Sequence, residues 1–291
     1  MKKLKMVSFL FIIVIAIIFS LSIIIKRYSV DYKNIEDIIT KLDTEEYSPR
    51  EILTEENDKT TKYLEDIFTE LGLETVFEDS YRQKIIRGLD LYNIVGKVSG
   101  ENNKEAIVIT AHFDAYSGSF DNSSGVAVAI EMATKVTQNN PNKDIVFSLV
   151  NGEERDLKGS EALVPALIPM YQKIYNINID CVGSKKAGAL ALKNISRVED
   201  SSELYDSIKE RFTEDKVDFE DSISSEKVKY YMQTGDGVSD YVPFEQNNLP
   251  NIHISQQGID GLTEDMAGPE SINFKNLKKL ADSLSKFVVE F

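Results

Sequence analysis

The chain has 291 residues but only one cysteine, two histidines and no tryptophan. A single thiol, Cys181, excludes an internal disulfide framework and any cysteine-rich zinc site. Basic charge is also scarce: 33 Lys and Arg face 48 Asp and Glu, for a formal net charge of −15. Five of the bases fall in residues 1–27, which hold no acid, so the rest of the chain sets 28 bases against 48 acids. A body that acidic repels nucleic acid and anionic headgroups, so no nucleic-acid partner is expected. Internal repeats and low-complexity tracts are absent from the sequence. What is present, 42% apolar and 28% charged residues, suits a globular body with a sizeable core.

One long apolar run stands apart. Val7 to Ile25, VSFLFIIVIAIIFSLSIII, carries neither charge nor proline. As a helix it would be roughly 28 Å long, near the ~30 Å thickness of the bilayer hydrocarbon. A cleaved signal peptide has a shorter apolar region of about 7–15 residues and a small-x-small site. The following KRYSVDY offers no such site. The expectation is an N-terminal transmembrane helix over about 7–25, within an anchor 1–27, then a helical juxtamembrane lead 28–44 and a body 45–291. Lys2, Lys3 and Lys5 outweigh Lys26 and Arg27, which favours a single-pass protein of the cell membrane with an extracellular body.

In the body, IEDIITKL and TTKYLEDIFTELGL place apolar residues at helical spacing, with Gly72 as a stop. LYNIVGKVSG reads as a strand. AIVITAHFD, DIVFSLVNGEE and KIYNINIDCVG are short continuous apolar runs, as expected of strands buried on both faces. Residues 123–137 form a helical pattern capped by Asn122 or Ser123, SEALVPALIPM a broken helix, and NFKNLKKLADSLSKFVVEF an amphipathic helix. LPNIHIS supplies a further strand. The alternation predicts an α/β fold: three layers, with a largely parallel central sheet flanked by helices.

Three of these strands end in residues that can bind a cation. The first delivers His112 and Asp114, the second Glu153 and Glu154, the third Asp180, and Asp121 lies in the loop before the next helix. Ligands of open α/β sheets gather at the carboxyl ends of strands. Zinc takes nitrogen from histidine and oxygen from carboxylates, and a catalytic site leaves one position for water. A nearby carboxylate that is not a ligand can take the water's proton. Asp114, two residues beyond His112 on extended backbone, points to the same side and can fix its tautomer.

AHFDAYSGSFDNSSGVAVAIEMA, NGEERDLKGSEAL, YNINIDCVG and SDYVPFEQNNLPNIHI resemble, in order and spacing, the motifs of the M28 family of zinc peptidases. The resemblance covers roughly residues 45–290. It implies the phosphorylase/hydrolase-like fold of zinc exopeptidases and an aminopeptidase-like hydrolysis of peptide substrates by metal-activated water. It further implies Zn2+, one or two per chain. His112 and Asp180 would bind one ion, Asp121 would bridge both and Glu154 would bind the other. Glu153 would be the general base and Asp114 would orient His112.

The sequence departs from the family pattern at two places. Leu262 or Thr263 stands where the last ligand histidine belongs, and Tyr241 replaces the histidine of the SDH motif. His253, Asp260 and Asp265 are the substitute ligands the sequence offers near that edge. Three readings stay open: a metal-dependent hydrolase, a peptide-binding module that has lost catalysis, and a glutaminyl-cyclase-like transferase. Substrate preference would be set by segments 183–200 and 215–240, where the glycine-bearing TGDGVSDY (234–241) could line a pocket.

Overall fold

A computed structural model describes residues 34–116, 118–193, 196–220, 238–256 and 268–291. The expected membrane span over 7–25, and Asp260, Leu262, Thr263 and Asp265, lie outside the described residues. No helix among the described residues is long and apolar enough to cross a membrane.

Helix α1 (Ile35–Leu42) opens the described chain, and the side chain of Asn34 accepts hydrogen bonds from the amides of Glu36 and Asp37. Helix α2 (Glu55–Leu71) is capped by Thr54, carries Glu55, Glu56 and Asp58 in its first turn, and stops at Gly72, whose φ is 68°. Each of these features satisfies or complements the free amides and carbonyls of a helix end. Strands β1 (Glu74–Thr75), β2 (Arg82–Lys84), β3 (Tyr92–Val98) and β4 (Asn102–His112) follow. Then come α3 (Ser123–Val136), β5 (Lys143–Val150), α4 (Lys158–Leu167) and β6 (Lys173–Ile179). The chain continues with β7 (Leu190–Lys193), α5 (Ser201–Glu214), β8 (Phe219–Glu220), α6 (Val242–Gln246), β9 (Asn251–Gln256) and α7 (Phe274–Glu290).

The sheet is mixed rather than largely parallel. Its order is β1-β3-β5-β4-β6-β9-β7-β8, with β2 beside β3. The four central strands β5, β4, β6 and β9 are parallel. On one side β3 runs antiparallel to β5, and on the other β7 runs antiparallel to β9. Strand direction is not written in a seven-residue apolar pattern, so the β3 stretch gave no sign of it. The chain between β3 and β4 crosses the start of β5 at Gly100, where a Cβ would lie 2.2 Å from the carbonyl carbon of Lys143. Only glycine fits that crossing. The four-residue β7 falls in a segment that the sequence pattern left as loop.

Burial explains the continuous apolar runs. Ile107, Val108 and Ile109 of β4 are fully buried. Val108 joins Val95, Val146 and Ile174 beneath Leu163, Val164 and Leu167 of α4 and Phe244 of α6. The alternate residues face α3, on which α1 and α7 pack. Burying each such side chain contributes roughly 1.5–3 kcal/mol. Helix α7 buries Leu277, Leu280, Ala281, Leu284, Phe287 and Val288, a stripe at three- and four-residue spacing. Because β4, β5, β6 and β9 run the same way, their carboxyl ends share one rim. The loops after β4, β5 and β6 carry the residues that the sequence singled out.

Candidate metal and catalytic site

His112 is the last residue of β4, and its ring is buried. Its Nε2 lies 3.1 Å from Asp121 Oδ1 and 3.3 Å from Asp180 Oδ1. Its Nδ1 faces the backbone carbonyl of Asp114 at 3.0 Å, closer than the Asp114 carboxylate at 3.7 Å. A carbonyl can only accept, so Nδ1 carries a proton; Nε2, facing two carboxylates, carries the second proton of the imidazolium, which a metal ion there would replace.

Asparagine 122 holds Asp121 near Asp180. Its Nδ2 donates to the Ile179 carbonyl at 2.9 Å, and its Oδ1 accepts from the amides of Gly125 at 2.9 Å and Cys181 at 3.3 Å. One side chain thus caps α3 and ties it to the end of β6. Gly125 permits the approach, since a Cβ there would lie 2.3 Å from the Ile179 oxygen. The Val182 amide donates to Ser124 Oγ at 3.2 Å, a second tie between the same segments.

Glu153 and Glu154 sit on a single 3-10 turn, Glu153–Arg155, just past β5. The Asp114 carboxylate receives both of their amides, Glu153 on Oδ1 and Glu154 on Oδ2, each at 3.1 Å. Glu153 offers a carboxylate oxygen within 4.8 Å of the donor atoms of His112 and Asp180. Asp121, Asp180 and Cys181 form a second such group. Of the residues expected at the rim, His112, Glu153 and Asp180 converge, Asp121 lies against His112, and Asp114 and Glu154 are tied to them through the Glu154 amide and the Asp114 carboxylate.

The electrostatics are those of crowded negative charge. Burial, with Asp240, Asp180 and Asp121 nearby, pushes Glu153 up to about 9 against the pull of His112. Burial and Asp121 push Glu154 up to about 7. For His112, burial opposes the charged form, but Glu153, Asp180, Asp114 and Asp121 outweigh it and hold the imidazolium well above its usual range. The Asp180 carboxyl is held below its usual range because His112 overcomes the cost of burial. A divalent cation is the charge that such a cluster lacks, and nitrogen plus carboxylate oxygens is a donor set that suits zinc.

Residues 93–278 match the description Peptidase family M28. The chain belongs to peptidase family M28. Among curated proteins it is 31% identical to Aminopeptidase YwaD of Bacillus subtilis (strain 168) over 171 residues, 56% of this chain and 35% of that one. It is also 28% identical to a Vacuolar membrane protease of Candida albicans (strain WO-1), over 44% of this chain and 16% of that protein. The chain thus spans about a third or less of the length of these relatives. Among solved structures, the glutaminyl cyclase of Fimbriiglobus ruber superposes with a TM-score of 0.70 at 16% identity, covering 89% of this chain and 97% of that one. At that identity the likeness is one of fold.

Within this M28 body, several functional-site neighbours escaped the sequence reading. Ser239 donates from Oγ to Asp180 Oδ2 at 2.7 Å, which leaves Oδ1 facing His112. Asp240 is fully buried; its Oδ1 accepts from Ser160 Oγ at 2.6 Å, while its Oδ2 has no hydrogen-bond partner. Burial raises Asp240 to about 7 despite His112 and Ser160. The Arg50 guanidinium, fully buried, donates to the carbonyl of Phe113 at 2.5 Å, to the carbonyl of Leu42 at 3.2 Å and to Ser123 Oγ at 2.7 Å. It braces the backbone on both sides of Asp114 and Asp121. Ser239 and Asp240 belong to the SDY stretch and were within reach of the motif. Arg50 carried no signal.

His253 lies inside β9, buried, with Nδ1 3.0 Å from Asn178 Nδ2 and its ring against Tyr241 at 5.1 Å between centroids. It is not among the residues whose donor atoms converge. One link to the rim runs through Asn178, whose Nδ2 also donates to Ser239 Oγ at 2.8 Å, and His253 further helps hold Asp180 low.

Proposed function

We propose that the chain is a zinc-dependent, aminopeptidase-like hydrolase of peptides, held at the membrane by residues 7–25. The reading is carried by one observation: His112 Nε2 meets Asp121 and Asp180 at 3.1 and 3.3 Å, with Glu153 beside them. Membership of peptidase family M28 supports the same chemistry. His112, Asp121 and Asp180 would hold one ion, and Asp121 with Glu154 a second. Zinc, when bound, supplies Lewis acidity to the scissile carbonyl and to water. Glu153, freed of its own proton once a cation offsets the surrounding acids, would take a proton from the water at its carboxylate and return it to the leaving amine. Asp114 positions both His112, through its carbonyl, and the glutamates, through its carboxylate. Arg50 and Asn122 hold the loop that carries Asp121.

The sequence holds no third histidine, and this favours a second reading, a peptide-binding module on the same scaffold. The test uses the full chain purified in detergent. One or two zinc ions per chain and turnover of aminoacyl chromogenic substrates that collapses in Glu153→Gln support the hydrolase. Zinc without turnover points to the binding module, and cyclisation of N-terminal glutaminyl peptides to the transferase. A chain that retains no zinc under zinc-replete conditions overturns the metal reading. Recovery in the soluble fraction after alkaline carbonate extraction would remove the membrane tether.

A further inference from the structure

We propose that Cys181 is a thiolate ligand of the ion held by His112, Asp121 and Asp180, so that the site selects thiophilic ions such as zinc, cobalt or cadmium over magnesium or manganese. This rests on the zinc reading above and concerns this chain's own donor set.

The thiol does not stand alone. Its Sγ and one oxygen each of Asp121 and Asp180 lie within 4.8 Å of one another. His112 belongs to the neighbouring group with Glu153 and Asp180, so the two groups share Asp180, and His112 Nε2 also lies 3.1 Å from Asp121 Oδ1. Around a tetrahedral zinc, with oxygen at about 2.1 Å and sulfur at about 2.3 Å, two such donors sit about 3.6 Å apart. For Sγ and the two carboxylates, which lie no more than 4.8 Å apart, a contraction of at most about 1.2 Å reaches that value. The backbone already aims the side chain. Cys181 adopts a left-handed φ of 54°, its amide is fixed on Asn122 Oδ1, and the following amide is fixed on Ser124. The residue therefore turns with the end of β6 towards the N-terminus of α3 rather than continuing the strand.

Chemistry and sequence agree with this placement. The chain has two histidines, and His253 is committed to the interior of β9. A site of one nitrogen and two carboxylates gains its strongest available further donor from sulfur, which binds zinc and cobalt well and magnesium or manganese poorly. On binding, sulfur forms the bond to the ion and its proton passes to solvent. With four protein donors the His112 side of the centre becomes the tightly bound ion. The Glu154 side, with fewer donors, stays open.

The test is cobalt(II) titration of the metal-free full chain in detergent. The wild type should show visible ligand-field bands together with an intense near-ultraviolet sulfur-to-cobalt charge-transfer band. Cys181→Ser should keep the first, lose the second and bind zinc at least about tenfold more weakly. X-ray absorption of the zinc-loaded wild type needs no variant, and should show a sulfur neighbour at about 2.3 Å. Ligand-field bands without charge transfer, a charge-transfer band that survives in Cys181→Ser, or a shell of light atoms only would each overturn the thiol ligand while leaving the metal site standing. Failure to bind cobalt at all would overturn both.

Discussion

The two sides of the candidate centre are built differently. On the His112 side, donors come from the ends of β4 and β6 and the start of α3, and hydrogen bonds lock each one. Asn122 spans α3 and β6, Ser239 fixes Asp180, and the Asp114 carbonyl fixes the ring. On the other side Glu154 sits on one short turn, held through its amide by Asp114, with its carbonyl accepting from the Tyr116 hydroxyl at 3.2 Å. The proton affinities differ too: Asp180 is held low, and Glu154 is pushed up to about 7. An ion on the first side meets a carboxylate ready to bind. An ion on the second would compete with protonation of Glu154 near neutral pH.

Asp121 stands against His112 and is the residue proposed to bridge two ions, so its loss should be the largest effect. Asp121→Ala is expected to abolish zinc retention and turnover together, checked by metal analysis and chromogenic hydrolysis. Glu153→Gln separates the two functions: turnover should fall about 10²–10⁴-fold with zinc content unchanged. A parallel loss of zinc would make Glu153 a ligand instead. Asn122→Ala attacks the latch between α3 and β6. It should cost about 1–2 kcal/mol of stability, the worth of a lost helix cap, and weaken zinc on the His112 side more than on the Glu154 side. Thermal unfolding and zinc titration would check it. Ser239→Ala should be mildest, about tenfold in zinc affinity with little change in Tm.

Acidity offers a test that needs no mutation. Glu153 and Glu154 have folded proton affinities raised above their unfolded ones, and so does His112. The folded, metal-free chain therefore binds more protons than the unfolded chain between about pH 4.5 and 9. The stability they contribute is complete below that window and is lost as pH rises through it. Metal-free Tm should fall from pH 5 to pH 9, and zinc should remove most of that fall. A metal-free Tm that rises across the same range would contradict the crowding of acids at the rim.

How much of this was legible depended on range. The buried strands announced themselves because Ile107–Ile109 and Ile145–Phe147 must be apolar on both faces. The polar residues after them were legible because a strand's carboxyl end is where a polar group can reach solvent or a ligand. The supports were not legible. Arg50 reaches Ser123 across 73 residues, Asn178 reaches Ser239 across 61, and nothing local in either stretch signals the other end. Cys181 read as a lone thiol because its partner Asp121 lies in another segment. The antiparallel strands β3 and β7 were opaque in direction for a similar reason: pairing partners, not residue pattern, decide which way a strand runs.

The clamp that Asp114 places on two consecutive amides has a practical corollary. Because one carboxylate steers both glutamates, any motion of the 153–155 turn shifts proton handling and cation grip as a unit. Directed evolution of this chain for new substrates should therefore leave position 114 untouched and vary Tyr116, which is solvent-facing and bonded to the Glu154 carbonyl.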